Sequence, residues 1–136
     1  MLDHINLRVT DYARSKEFYT AALAPLGYVL AMEAESGAGF RKGTIPSFWV
    51  KQGELVGRAG LGDPTPLAGC GGPQLHVAFA AETRAMVNAF HRAAMAAGGR
   101  DNGPPGLRPG YHPNYYGAFV LDPDGYNIEA VCHKAE

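Results

Sequence analysis

Polar and apolar residues alternate from Leu2 to Thr10. Ile5, Leu7 and Val9 point one way and His4, Asn6 and Arg8 the other, the period of a strand with one buried face. Asp11 then suits a helix N-cap, and the pattern predicts a helix from Tyr12 to Ala24 with Phe18, Tyr19, Ala22 and Leu23 on one face. Pro25 stops it and Gly27 lets the chain turn. Three strand-like runs follow: Tyr28 to Glu33, Gly39 to Lys42 and Ser47 to Lys51. After a connector rich in Gly and Pro, Gln74 to Ala80 alternates again, with Leu75, Val77 and Phe79 opposite His76 and Ala78. A second helix, Thr83 to Ala97, is expected to bury Met86, Val87, Phe90, Ala94 and Ala97 and to end at Gly98-Gly99. A long loop over Asp101 to Pro113, a strand over Tyr116 to Leu121, a turn at Asp122-Pro123-Asp124-Gly125 and a last strand over Tyr126 to Cys132 complete the chain.

The two halves repeat. Adding 72 to the first-half numbering takes His4 to His76, Ile5 to Val77, Leu7 to Phe79, Phe18 to Phe90, Ala22 to Ala94, Leu23 to Met95 and Gly27 to Gly99. A fixed offset that holds over strand, helix and glycine points to a duplicated unit. Two copies suit one closed, pseudo-symmetric domain: a first module over about 1–56, a linker over 57–73 and a second module over about 74–136.

Composition narrows the partners. A formal net charge of -1 shows no basic excess, which argues against nucleic acid or an acidic membrane surface. No apolar run approaches the roughly 20 residues a membrane helix needs, and the N-terminus lacks the order of a signal peptide. Cys70 and Cys132 make no disulfide framework, so a reducing cytoplasm is the expected location. The chain has no phosphate-binding Gly-Lys-Ser/Thr loop, no Gly-x-Gly-x-x-Gly and no Gly-x-Ser-x-Gly.

The candidate chemistry lies on the polar side of three strands. His4, His76 and Glu129 each stand opposite the apolar residues that pack under a helix. Two imidazoles and a carboxylate suit a divalent Fe, Mn, Ni or Zn ion. The stretch Arg108-Pro-Gly-Tyr111-His112-Pro-Asn-Tyr115-Tyr116 gathers a cation, an imidazole and aromatics just before the strand that leads to Glu129. It reads as a substrate-facing loop in which His112 or Tyr115 moves a proton and Arg108 holds an anion. Packing at a surface or dimer loop would explain the same residues. Trp49 suits a pocket wall or plain core, and His133 beside the C-terminus is given no role.

The opening Leu2-Asp-His4-Ile, Phe18-Tyr19, His76-Val-Ala-Phe and Leu121-Asp-Pro-Asp-Gly-Tyr-Asn-Ile-Glu129 together resemble the vicinal oxygen chelate family. That family includes glyoxalase I, fosfomycin-resistance enzymes, bleomycin-resistance proteins and extradiol dioxygenases. The resemblance implies an α+β fold of two pseudo-symmetric β-α-β-β-β modules, a cupped mixed sheet with helices on its outer face. It also implies metal ligands at His4, His76 and Glu129, a small-molecule substrate and a homodimer. Glyoxalase I carries a fourth ligand, a glutamate on the last strand of the first module; here that strand reads Ser47-Phe-Trp-Val-Lys51. The run from Gly110-Tyr-His112 to Glu129 is similar to the extradiol dioxygenase signature but departs from it at Ala118 and at Phe119, where that signature has a tyrosine. The reading that follows is a metalloenzyme acting on an oxygen-chelating substrate. The alternative is a metal-free module that sequesters a small ligand, as bleomycin-resistance proteins do, with Trp49 and the tyrosines as walls.

Overall fold

The computed structural model describes residues 2–53 and 75–136. The expected linker, 57–73, lies outside the described residues, as does Cys70. The first module runs β1 (Ile5–Val9), α1 (Tyr12–Leu23), a short 3-10 turn (Ala24–Leu26), β2 (Val29–Ala34), β3 (Gly37–Arg41) and β4 (Phe48–Gln52). The second runs β5 (His76–Ala80), α2 (Arg84–Ala96), β6 (Arg100–Leu107), β7 (Tyr116–Leu121) and β8 (Asn127–Cys132). Each module forms a mixed four-stranded sheet of the same order, β1-β4-β3-β2 and β5-β8-β7-β6. In each, the first strand pairs in parallel with the last, and the remaining pairs are antiparallel. The α+β fold of repeated β-α-β-β-β modules is therefore the one the sequence pattern pointed to.

Local chemistry sets the helix starts. The Asp11 carboxylate accepts from the Arg14 N–H at 3.0 Å, and the Thr83 hydroxyl accepts from the Met86 N–H at 3.2 Å. Phe18, Tyr19, Ala22 and Leu23 are fully buried on α1, as are Val87, Phe90 and Ala94 on α2. Burying a large apolar side chain of this kind contributes about 1.5–3 kcal/mol. The helices pack against each other, and the inward residues of both sheets join them in one core. Phe79 bridges the modules, meeting Phe48 edge-on at 5.2 Å and Tyr28 at 5.3 Å.

Polar contacts also clasp the modules. The Tyr19 hydroxyl donates to buried Asp122 at 2.6 Å, and the Tyr126 hydroxyl donates to the Arg8 carbonyl at 2.9 Å. The Thr10 N–H donates to Asp124 at 3.1 Å. The end of β1 therefore lies beside the start of β8.

Two expectations change. The predicted loop over Asp101 to Pro113 begins as strand β6, which extends to Leu107 despite Gly103-Pro104-Pro105-Gly106. It is an edge strand with register shifts on either side of Gly103, where a proline leaves no ladder donor wanting. The glycines after α2 also divide the work expected of one. Gly98, at φ +89, makes the left-handed turn that Gly27 makes at φ +85. Gly99 instead leaves room for Val120 and Phe18. The repeat loosens at the helix end too, where Leu23 is buried but Met95 is 37% exposed.

Candidate functional site

The second sheet places His76 and Glu129 on the face away from α2. In β5, Val77 and Phe79 are buried while His76, Ala78 and Ala80 are exposed. In β8, Ile128 and Ala130 face the core, and Glu129 lies on the other side. Glu129 is nonetheless only 1% exposed, because β8 sits between β5 and β7 and neighbours cover its carboxylate.

Those neighbours hold both oxygens. His76 Nε2 lies 2.9 Å from Glu129 Oε2, so an ionised carboxylate puts the ring proton on that nitrogen. The Tyr115 hydroxyl donates to Oε1 at 2.6 Å. Gly117 makes room for this arrangement: a Cβ there would stand 2.8 Å from Glu129 Oε1 and 3.1 Å from the Tyr115 ring. Burial, aided by the bond to Glu129, raises the Tyr115 hydroxyl above the ordinary phenol range. Tyr115 is thus a standing donor rather than a source of phenolate.

The remaining loop residues form the surroundings. Phe119, opposite Glu129 in the sheet, stacks on the His76 ring at 6.1 Å and 29°. Arg108 lies over Phe119 at 5.7 Å, and its guanidinium donates to the Pro104 carbonyl at 2.7 Å. His112 is exposed; its Nδ1 accepts from the Asn114 N–H at 3.2 Å, and its ring meets His133 edge-on at 6.1 Å. His133 in turn meets the Tyr115 ring at 5.0 Å. Of the three loop residues expected to act, Tyr115 reaches Glu129, Arg108 backs the wall behind His76, and His112 stands farther out. The sequence pattern does not single out Gly117, Phe119 or His133 as site residues. The period of two along the last strand links Glu129, Val131 and His133, and that signal could have marked His133.

His4 is elsewhere. It precedes β1 in the first module, where its Nδ1 pairs with Asp3 at 2.7 Å. It lines a cavity of about 390 Å³ with Asn6, Trp49, Lys51, Ile45 and Pro46. The end of β1 meets Tyr126, next to Asn127, the strand partner of His76. His4 lies back at the other end of β1, about 13 Å along an extended chain from Arg8. Among the described residues, no three His, Cys, Asp or Glu side chains are gathered closely enough to hold a metal ion.

Strand register explains the missing fourth carboxylate. Asn6 pairs with Trp49 across β1 and β4, and its counterpart under the 72-residue offset, Ala78, pairs with Glu129 across β5 and β8. Trp49 therefore holds in the first sheet the place that Glu129 holds in the second.

This duplicated fold, with an imidazole and a buried carboxylate on the sheet face away from the helices, defines a class. The chain belongs to the Glyoxalase/Bleomycin resistance protein/Dioxygenase superfamily, whose model matches residues 1–130. Among solved structures, a glyoxalase/bleomycin resistance protein from Albidiferax ferrireducens is 30% identical over 97% of this chain and 98% of its own, with a TM-score of 0.72. A glyoxalase/bleomycin resistance protein/dioxygenase family enzyme from Burkholderia phytofirmans shares the fold at 19% identity, covering 98% of both chains with a TM-score of 0.70. No curated protein matches the chain. No helix among the described residues is long and apolar enough to cross a membrane.

The divalent metal implied by the family resemblance fits this chain in part. Neighbouring ligands each about 2.1 Å from one ion stand roughly 3 Å apart. The 2.9 Å between His76 Nε2 and Glu129 Oε2 meets that spacing. His4 does not join them within a single chain. Among the described residues of one chain, His76 and Glu129 offer two donor atoms at this spacing, and no third His, Cys, Asp or Glu side chain joins them.

Proposed function

We propose that the protein is a metal-dependent enzyme acting on a small substrate with neighbouring oxygens. His76 and Glu129 of one chain and His4 of a second copy would hold a divalent Fe, Mn, Ni or Zn ion in a homodimer. The observation that carries this reading is the buried Glu129 carboxylate beside His76, with His4 stranded in the other module. When bound, the ion supplies Lewis acidity to the substrate oxygens. Tyr115 keeps its proton and fixes Glu129 through Oε1, while Phe119 holds the His76 ring. Arg108, lying over Phe119, orients an anionic group of the substrate, and exposed His112 moves a proton.

A second reading, metal-free capture of a small ligand, draws support from one feature. Both Glu129 oxygens have protein partners, His76 at one and Tyr115 at the other. Elemental analysis of protein purified without chelators separates the two, with about one ion per chain expected for the enzyme. Chains carrying His4→Ala or Glu129→Ala should each lose the metal, and co-expression of the two should restore one intact site per mixed dimer. Loss in both parents without restoration would put the ligands in one chain. No metal in the reconstituted parent protein would leave the capture reading.

A further inference from the structure

Strand β6 holds the one Asn-Gly pair of the chain, Asn102-Gly103, which the metal chemistry does not use. Across β6 and β7, Asp101 pairs with Val120 and Gly103 with Phe119, two successive residues of β7. Asn102 is therefore the extra residue of a bulge, exposed and outside the ladder. Its amide donates to Asn127 Oδ1 at 3.1 Å. Asn127 alternates with core-facing Ile128 and shares its side of β8 with Glu129. The Asn102 amide thus reaches the sheet face that carries His76 and Glu129. Gly103 is fixed as a glycine by its own surroundings. A Cβ there would stand 2.9 Å from Phe119, the ring that stacks on His76, and the backbone has a φ of +150. Bulge and packing together set a glycine directly after an exposed asparagine.

The Gly103 nitrogen also has a base beside it. Its N–H donates to Asp101 Oδ1 at 3.2 Å, within the reach of a general base. The same oxygen lies 2.9 Å from His91 Nε2, a contact from α2 that fixes the carboxylate. The bond to His91, aided by the one from Gly103, holds Asp101 below the usual carboxylate range, so it is ionised at neutral pH. Arg108 brings a cation to the same residue, since a Cβ at Gly103 would lie 3.6 Å from its Nη2. Positive charge there favours the negative charge that develops when an amide nitrogen attacks a neighbouring carbonyl carbon. With no Cβ to hinder it, the Gly103 nitrogen can close on the Asn102 side chain.

We infer that Asn102 is a self-modification site, at which Gly103 attacks the side-chain amide with Asp101 as the base and converts asparagine to aspartate or isoaspartate. The Gly103 nitrogen bonds to Asn102 Cγ, and the Cγ–Nδ2 bond breaks. The Gly103 proton passes to Asp101 and then to the departing Nδ2, which leaves as ammonia. Water adds to either carbonyl of the cyclic imide and reopens it, giving aspartate or, with the chain routed through the side chain, isoaspartate. Nothing is oxidised or reduced. The product has a carboxylate, which cannot donate to Asn127 Oδ1. The bulge of β6 then loses its bond to β8, and the face that carries His76 and Glu129 gains a negative charge.

The test is to incubate the intact folded chain at neutral pH and body temperature and follow it by peptide mass mapping, ammonia release and enzymatic methylation of isoaspartate. Asn102 should convert, while Asn6, Asn88, Asn114 and Asn127 stay intact. Asn102→Gln, whose longer side chain disfavours the ring closure, should release no ammonia. Asp101→Ala should slow conversion several-fold, and Asp101→Glu should restore most of the rate, which a merely structural role for Asp101 would not do. Urea melts of the two Asp101 variants check that both are folded at the incubation temperature. An Asn102 that survives prolonged incubation, or conversion spread evenly over the other asparagines, would overturn the inference. Equal rates in the parent and a folded Asp101→Ala would do the same. None of these readouts needs a bound metal, so the metalloenzyme reading stands or falls on its own measurements.

Discussion

The Tyr115 hydroxyl donates to Glu129 Oε1 across 2.6 Å, from a loop residue to a carboxylate buried in the middle of a sheet. Burial raises the phenol, and the bond to Glu129 raises it further, so this donor keeps its proton throughout the neutral range. A buried carboxylate needs its partners, and losing one leaves an unsatisfied acceptor that costs about 1–3 kcal/mol.

Tyr115→Phe should accordingly lower stability by about 1–3 kcal/mol in urea melts at neutral pH. If a metal binds at His76 and Glu129, its affinity should fall about 10- to 100-fold, the usual effect of removing a group that orients a ligand. Because the folded phenol is raised, its bond contributes stability fully below the ordinary phenol value of 10.0 and loses it as pH rises through the folded value. Ultraviolet titration of intact protein should show a tyrosine that ionises late and is missing in Tyr115→Phe. Identical late titration in both proteins would contradict the assignment.

Gly117→Ala should disturb the same site from below. The added Cβ would stand 2.8 Å from Glu129 Oε1, and neither Glu129 nor Tyr115 can move without breaking their bond. Overpacking of this kind costs about 1–3 kcal/mol. The variant should melt earlier and, if a metal binds at His76 and Glu129, hold it less tightly; a high-resolution structure should show the Tyr115–Glu129 bond lengthened. A wild-type melt with that bond intact would refute the packing role of Gly117.

Much of this architecture was legible from alternation alone. Ile5, Leu7 and Val9 opposed to Asn6 and Arg8, and Val77 and Phe79 opposed to His76, announced the strands and the face on which chemistry would stand. The 72-residue offset announced the second module and, through strand register, the Trp49–Glu129 correspondence. The edge strand β6 was hidden because two prolines and two glycines are written like a loop, and only the single neighbour β7 makes them tolerable. The site was half legible. Sharing a sheet face says which way His4 points but not how far it lies from Glu129, because that separation depends on how the two modules pack. Phe119 matters by stacking on His76 across the sheet and His133 by meeting the Tyr115 ring edge-on, contacts that no local pattern encodes.

The two glycines after α2 should respond differently to alanine. Gly98 has open space around its missing Cβ but a left-handed backbone at φ +89, so Gly98→Ala should cost about 1–2 kcal/mol of backbone strain. At Gly99 a Cβ would meet Val120 at 2.5 Å, the Ala94 carbonyl at 2.9 Å and Phe18 at 2.9 Å, all inside the core. Gly99→Ala should cost about 3 kcal/mol or fail to fold, at the upper end of overpacking. Chemical denaturation ranks the pair, and a larger loss at Gly98 would contradict the packing role given to Gly99.

Asp122 should make stability depend on acid in an unusual direction. Its carboxylate is almost fully buried, and burial raises it above the usual carboxylate range despite the bonds it accepts from Tyr19 and from the Tyr126 and Asp124 N–H groups. A raised folded value means that the folded protein holds the proton more tightly than the unfolded chain. Stability from this group is therefore fully present below the ordinary value of 3.8 and declines as pH rises through the folded value, after which it is flat. Asp122→Asn abolishes this titration while keeping a carbonyl for the two backbone donors, so its urea-melt stability should fall less than that of the parent between acid and neutral pH. Tyr19→Phe should steepen the parent's decline, because the Tyr19 bond is one of the contacts that hold the carboxyl down. Asp122→Ala, which strands the Tyr19 hydroxyl and both N–H groups, should lose about 3 kcal/mol. Superimposable pH profiles for the parent and Asp122→Asn would show that the clasp between the modules carries no titrating carboxylate.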